Sequence, residues 1–442
     1  MLYILCATFS LVLIFICLFK VYNQGIARIF NSPIVLSSLF FFLIHLLMPL
    51  LQWDVNYFRY QFNYSNDTYL YSLLLAMSLH MIFIAGLSLF PLKQNVGSHP
   101  YRINPQFLKY ALFTTFFVFV IGTYNSGKNI IVIFSMGYEN YITDRISAGV
   151  GKGLGLLLAH WTYISCLLFF FIYYHAKHTR WIKRLSFVLF ITSLVIAAVY
   201  YAINSNRNSL FVLVVSLLCF GLSFSGKYSG HLTTRQLKKT LTLIITVFLI
   251  VIAMHTIGKM RHQGGVNDTH DESNYGLVNS LNGAFGNHEN IVWLLDHEYQ
   301  LSLGQTYIAG FANFVPRSIW PSKPVGAGPI LKNTIYPGSY VVGRKGNSSL
   351  TTGLYTELLM NFGVAGSLLG SFIIALCLGA IFTKLGTFSS PIIQLVYLFT
   401  IVMFSAPFMY AEFLGFFARY VLSIVPFVLV YLTTRTIRVT DQ

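Results

Sequence analysis

Residues 353–382 read GLYTELLMNFGVAGSLLGSFIIALCLGAIF, thirty positions with one charged side chain, Glu357, near the beginning. A helix needs about 20 apolar residues to cross a bilayer core of roughly 30 Å, and this stretch supplies them. Comparable runs recur at about 1–19, 33–51, 68–90, 107–122, 154–174, 181–201, 208–224, 240–258, 391–410 and 413–433, for eleven expected spans. The shorter run Ile130–Met136 is too brief to cross and is expected to be re-entrant or interfacial.

Composition agrees with this reading. The chain has 442 residues, 55% of them hydrophobic and 10% charged, and a mean hydropathy of +0.66. Soluble proteins carry roughly 25% charged residues, so an ordinary soluble globule is excluded. In lipid every backbone polar group needs an internal partner, and without strand-like alternation that means helices. The expected class is an all-α polytopic integral membrane protein, divided into spans one to eight (1–258), a large loop (259–350) and the last three spans with the C-terminus (351–442). The run Met1–Phe19 lacks a basic start and a small-residue cleavage site, so it reads as a retained first helix. Cys6, Cys17, Cys166, Cys219 and Cys377 all fall in apolar runs without CxxC spacing, which points to neither disulfides nor a metal.

Lysine and arginine set the orientation. Lys20, Arg28, Lys93, Arg102, Lys177, Arg180, Lys183, Arg184, Lys227, Arg235, Lys238, Lys239, Arg435 and Arg438 all fall on one side of the proposed spans, and the acids, apart from Asp441, fall on or near the other. This places the N-terminus and the large loop outside and the C-terminus in the cytoplasm. A net charge of +16 then follows largely from topology and gives no reason to expect nucleic acid. In the loop, Leu281, Phe285, Val292 and Leu295 recur at helical spacing, so a helix along the membrane face is expected. Pro316, Pro321, Pro324, Pro329 and Pro337 make the remainder irregular.

Topology does not account for the outward arginines: Arg59, Arg145, Arg207, Arg261, Arg317 and Arg344, with Arg419 inside the last span. A guanidinium stays charged and grips phosphate oxygens in pairs, which suits an anionic ligand arriving from lipid. Arg207 lies in the short turn Asn204-Ser-Asn-Arg-Asn-Ser209, where it either binds diphosphate or sugar or snorkels to headgroups. Arg317, Trp320 and Lys323 lie in a proline-stiffened turn that serves either a sugar phosphate or the interface. Glu412 and Arg419, seven residues apart, share one face of the last span, as an ion pair or around a ligand. A proton acceptor would come from Glu357, His288, Glu289 or Glu412, and the residues alone do not choose. Gly149-Val-Gly-Lys-Gly-Leu-Gly155 lacks the Ser/Thr of a P-loop, the His-Glu pairs do not complete HExxH, and no GxSxG elbow occurs.

In their order these motifs carry a resemblance. They are Gly137-Tyr-Glu-Asn-Tyr141 with Arg145, the turn at Arg207, Lys259-Met-Arg261, Val315-Pro-Arg-Ser-Ile-Trp-Pro-Ser-Lys-Pro324, Thr352-Gly-Leu-Tyr-Thr-Glu-Leu-Leu-Met-Asn-Phe-Gly363, and Arg419. Over most of its length the chain resembles the Wzy-type O-antigen and oligosaccharide repeat-unit polymerases and, more distantly, the enterobacterial common antigen polymerase. The resemblance implies a GT-C-like glycosyltransferase of the bacterial inner membrane, working on the periplasmic side without metal, cofactor or nucleotide sugar. Its substrates would be undecaprenyl-diphosphate-linked oligosaccharides, its surroundings the lipid bilayer, and its partners a flippase and a chain-length co-polymerase. By the same carry-over Arg207, Arg317 and Arg261 would meet diphosphate or transition-state charge. Arg145, Arg344 and Arg419 would help to place substrate, together with Trp320, Lys323 and Glu412, and Glu357, Glu289 or His288 would act as base. An O-antigen ligase and a lipid-linked oligosaccharide flippase are the rival readings; against transport, no internal repeat is visible.

Overall fold

The computed structural model describes residues 2–24, 31–56, 58–60, 64–91, 103–137, 141, 153–204, 207–224, 278, 281–282, 285–342, 344 and 349–437. All regular structure among them is helical. The helices are α1 (Leu2–Gln24), α2 (Pro33–Asp54), α3 (Asn66–Ser88), α4 (Pro105–Met136), α5 (Gly153–His175), α6 (Arg180–Ile203) and α7 (Arg207–Phe224). They continue with α8 (His288–Asp296), α9 (Gln305–Ala312), α10 (Ala327–Ile335), α11 (Leu354–Gly386), α12 (Pro391–Tyr410) and α13 (Phe413–Thr434). Among the described residues eight helices are long and apolar enough to cross a membrane: α2 to α6 and α11 to α13. The expected first and seventh spans correspond to α1 and α7, whose apolar stretches, Tyr3–Phe19 and Ser209–Gly221, are shorter. The span expected at 240–258 lies outside the described residues.

One boundary needs correction. Ile130–Met136 does not stand apart: it continues α4, which runs 32 residues, about 48 Å at 1.5 Å per residue. Local signals set the other ends. The Ser65 hydroxyl caps α3 by accepting from Thr68 N at 3.0 Å, and Asn104 caps α4 ahead of Pro105, accepting from Gln106 N at 2.9 Å. Within α2 a π-turn, Phe42–Leu47, precedes Pro49. A proline ring clashes with the carbonyl four residues earlier, here that of His45, and widening the helix relieves the clash.

The chain forms two compact units. The first comprises Met1–Leu92, Met254–Thr383 and Met403–Ala418, and the second Lys93–Ala253, Lys384–Val402 and Arg419–Gln442. In the first, α3 and α11 approach closely at Gly86, where an added Cβ would lie 2.7 Å from Ala375 Cβ, as small residues permit between spans. In the second, α5 meets α4 at Gly122, where a Cβ would lie 2.5 Å from Thr162 N.

α11 is broken at Gly363 (φ 65°, ψ −171°), a conformation open almost only to glycine. The break frees carbonyls that an unbroken helix would use, and the loop segment before α9 takes them. Tyr299 Oη donates to Leu359 O at 3.0 Å, Ser302 N to Met360 O at 3.0 Å and Leu303 N to Asn361 O at 3.1 Å. The Asn361 side chain accepts from Gly304 N at 2.9 Å and donates to Thr306 Oγ1 at 2.8 Å. The start of α9 is thereby pinned to α11.

Candidate functional site

Each unit holds a polar interior. In the first it is built around α8, whose residues His288 to Leu294 are all buried. This corrects the expectation of a helix along the membrane face. His288 and Glu289 are both enclosed by protein. Apolar periodicity marks a buried face without saying whether lipid or protein covers it. Here the polar residues before and within α8 each find partners inside.

Glu289 accepts from Arg59 N at 2.7 Å and Tyr60 N at 2.8 Å, one per carboxylate oxygen, with Tyr64 Oη at 3.4 Å. Burial pushes its carboxyl above the usual range, and the Tyr60 and Arg59 amides oppose the shift. Tyr60 donates its hydroxyl to Asn290. Asn290 donates to Thr351 O at 2.8 Å, Thr351 to Asn287 Oδ1 at 2.7 Å, and Asn287 to Tyr410 O at 2.6 Å. Gln52 and the Arg59 guanidinium reach Asn282, at 2.9 and 3.2 Å.

His288 lies between two partners: its Nδ1 is 3.0 Å from His45 Nδ1, and its Nε2 is 3.1 Å from Ser72 Oγ. Ser72 gives its own proton to Tyr69 O at 2.7 Å, so the imidazole donates to the hydroxyl. A neutral ring then accepts at Nδ1, and His45 is the donor between the two rings. Burial pushes His288 down to about 3, in keeping with the neutral ring. Nearby, His80 joins Tyr355 Oη at 2.8 Å and Ser38 Oγ at 3.2 Å.

Two further acids are neighbours. Glu357 Oε2 accepts from Phe413 N at 2.7 Å, and Glu412, the preceding residue, accepts from Gly328 N at 2.7 Å. Glu412 lies in the turn ahead of α13, not on its face as expected. Burial raises its carboxyl, with the Gly328 amide opposing.

The cations of the first unit's loop are engaged locally. Arg317 Nη1 donates to Pro321 O at 3.1 Å and Lys323 O at 3.2 Å. Lys323 Nζ donates to Val315 O at 2.8 Å, Asn313 O at 3.4 Å and Ala312 O at 3.5 Å. Trp320 is exposed between them, and Arg344, also exposed, reaches Gly338 O at 3.5 Å.

In the second unit Arg419, on α13, donates to Ser209 Oγ at 3.3 Å. Around it stand His160, Tyr163 and Tyr201, which its charge influences electrostatically. His160 Nδ1 is bonded to Tyr201 Oη at 2.7 Å, and Tyr163 Oη to Ser423 Oγ at 3.2 Å. Among the described residues no carboxylate forms an ion pair with Arg419. Arg207 opens α7, two residues before Ser209; its side chain, like Arg145 and Arg261, lies outside the described residues.

The structure thus groups His288 with Glu289, Glu357 with Glu412, and Arg317 with Lys323. The sequence reading missed His45, His80, His160, Asn287, Asn290 and Asn361. Their available signal was an isolated polar side chain in an apolar run, which in a membrane needs a partner. No family model, curated protein or solved structure matches the chain.

Proposed function

We propose that the chain is a membrane glycosyltransferase that polymerises oligosaccharide repeat units carried on undecaprenyl diphosphate, at the periplasmic face of the inner membrane. The observation that carries this reading is Arg419. An arginine within a span costs about 2.5–3.5 kcal/mol on insertion scales. Among the described residues, one of its five N–H donors meets a serine hydroxyl. Hydroxyls and a histidine stand, among those same described residues, where a carboxylate would be expected, an arrangement that suits an anionic ligand. A diphosphate whose lipid tail stays in the bilayer meets that demand.

In the reaction the anomeric carbon–oxygen bond to diphosphate breaks, and a bond to a hydroxyl of the incoming lipid-linked unit forms. Undecaprenyl diphosphate departs, so no nucleotide is required. Arg419, with Arg207 and Arg145 of the same unit, would stabilise the charge developing on the leaving oxygen. The hydroxyl proton needs an acceptor. Among the candidates of the first unit, Glu289 has both oxygens committed to backbone amides and His288 both nitrogens bonded, whereas Glu357 and Glu412 each accept from one backbone amide. A flippase would supply the units, and a chain-length co-polymerase would act on the same product.

The test uses proteoliposomes and the lipid-linked units that accumulate in cells deleted for the gene. The purified protein should convert them into a ladder without an ion gradient. Arg419→Ala should abolish the ladder at normal protein level, and Arg419→Lys should leave it weak, because a point charge lacks the two-pronged grip. Translocation without lengthening would establish the flippase reading instead, and full activity of Arg419→Ala would remove the central argument.

A further inference from the structure

α9 has eight residues, about 12 Å of helix, and cannot cross a bilayer. Yet the segment around it exposes Leu301, Leu303, Ile308, Phe311, Phe314 and Ile319, with Leu303 at 73% and Ile319 at 75% of full exposure. Its underside is firmly seated. Tyr307 stacks on Phe362 with ring centroids 6.1 Å apart, Phe311 meets Phe413 and Phe417, and a Cβ on Gly310 would lie 2.5 Å from Phe413. The apolar ridge is therefore held outward by packing beneath it.

We propose that residues 301–320 form a foot immersed in the bilayer edge, with the acyl chains of the surrounding lipid as its partner. The first reason is continuity. Leu369 and Ile373, four residues apart on α11, are exposed on one face of a membrane span, as is Phe362 at its break. Leu301 borders that break at Gly363, so the ridge extends a surface that already meets lipid. The second reason is the irregular turn after α9. Non-helical backbone near membrane depth needs internal hydrogen-bond partners. Arg317 and Lys323 supply them to the carbonyls of Ala312, Asn313, Val315, Pro321 and Lys323. Trp320, exposed beside these two cations, completes the aromatic and basic rim that suits the headgroup level.

The test places single nitroxide labels at Ile308→Cys, Phe311→Cys, Phe314→Cys and Ile319→Cys, and at the exposed control Glu298→Cys. The background has the five native cysteines replaced by alanine, and the protein is held in lipid nanodiscs. Collision with oxygen, which concentrates in lipid, should exceed collision with a water-soluble nickel chelate at the four ridge positions, and the order should reverse at Glu298. Dominant nickel collision on the ridge would overturn the proposal. So would shielding from both reagents, which would mean a second copy or another protein covers the face. The four ridge positions are independent, so one misfolded variant leaves three readings. None requires glycosyl transfer, so loss of the enzymatic reading leaves this result unaffected.

Discussion

Gly363→Ala isolates the break in α11. At φ 65° and ψ −171° an alanine would sit in a region that costs about 1–3 kcal/mol. Steric conflict adds little, because the nearest atom to an added Cβ is Leu301 Cδ2 at 3.8 Å. Straightening the helix would reclaim the carbonyls of Leu359, Met360 and Asn361. It would also release Tyr299, Ser302 and Leu303, at about 0.5–1.5 kcal/mol for each hydrogen bond. The less costly route sets the outcome, so the segment before α9 is less firmly docked by about 1–3 kcal/mol, roughly a 5- to 150-fold change in its docking equilibrium. Chymotrypsin, which cuts after aromatic and leucine residues, should cleave at Tyr299, Leu301 and Leu303 faster in the variant, and the thermal midpoint in detergent should fall. Gly127→Ala is the control: it lies in α4 with nothing within 4 Å of the added methyl. It should be neutral or stabilising by up to about 1 kcal/mol. Equal cleavage rates and midpoints for Gly363→Ala and the native protein would refute the account of the break.

Glu289→Ala should destabilise strongly, since two buried backbone amides lose their acceptor at about 1–3 kcal/mol each; Glu289→Gln, with one acceptor oxygen, should fall between, as thermal midpoints would record. Glu412 has a raised folded value, so the folded state holds its proton longer and stability falls as pH climbs above the ordinary carboxyl value of about 4.3. Glu412→Gln should flatten that decline in midpoints taken from pH 4 to 8. His288 has the opposite sign: its stabilisation is complete above its ordinary value of 6.5 and is lost as pH falls toward about 3. His288→Gln should abolish that acid-side loss, and an unchanged pH profile would contradict the neutral, enclosed imidazole.

Much of the helix pattern is legible in the residues, because a run such as 33–51 or 181–201 has few charges and a bilayer's length. What composition could not convey is how helices are interrupted. The π-turn at Phe42–Leu47 and the break at Gly363 both lie inside uninterrupted apolar runs, and their causes, a later proline and a glycine, also occur in unbroken helices. Ile130–Met136 looked separate because Asn125, Ser126, Lys128 and Asn129 precede it. α4 carries those side chains without ending: Asn125 returns to Ile121 O at 2.8 Å and Ser126 lies 3.1 Å from Thr162 Oγ1. The candidate acids were visible individually as rare charges in apolar surroundings. Their partners were not, since the amides that hold Glu289 are about 230 positions away in sequence.

That distance has a consequence for biogenesis. The amides that α8 engages belong to Arg59 and Tyr60, translated early, while Asn287 and Asn290 wait for Tyr410 and Thr351, translated late. Until the chain beyond Thr351 and Tyr410 leaves the ribosome, a segment rich in buried polar groups lacks its late partners. Such long-range pairing is slow, and the incomplete chain presents unsatisfied surface in the interval. A chain stopped short of Tyr410 should therefore be a substrate for membrane proteolysis even with most of its helices inserted. The last spans act as the latch on an assembly whose other parts are already in place.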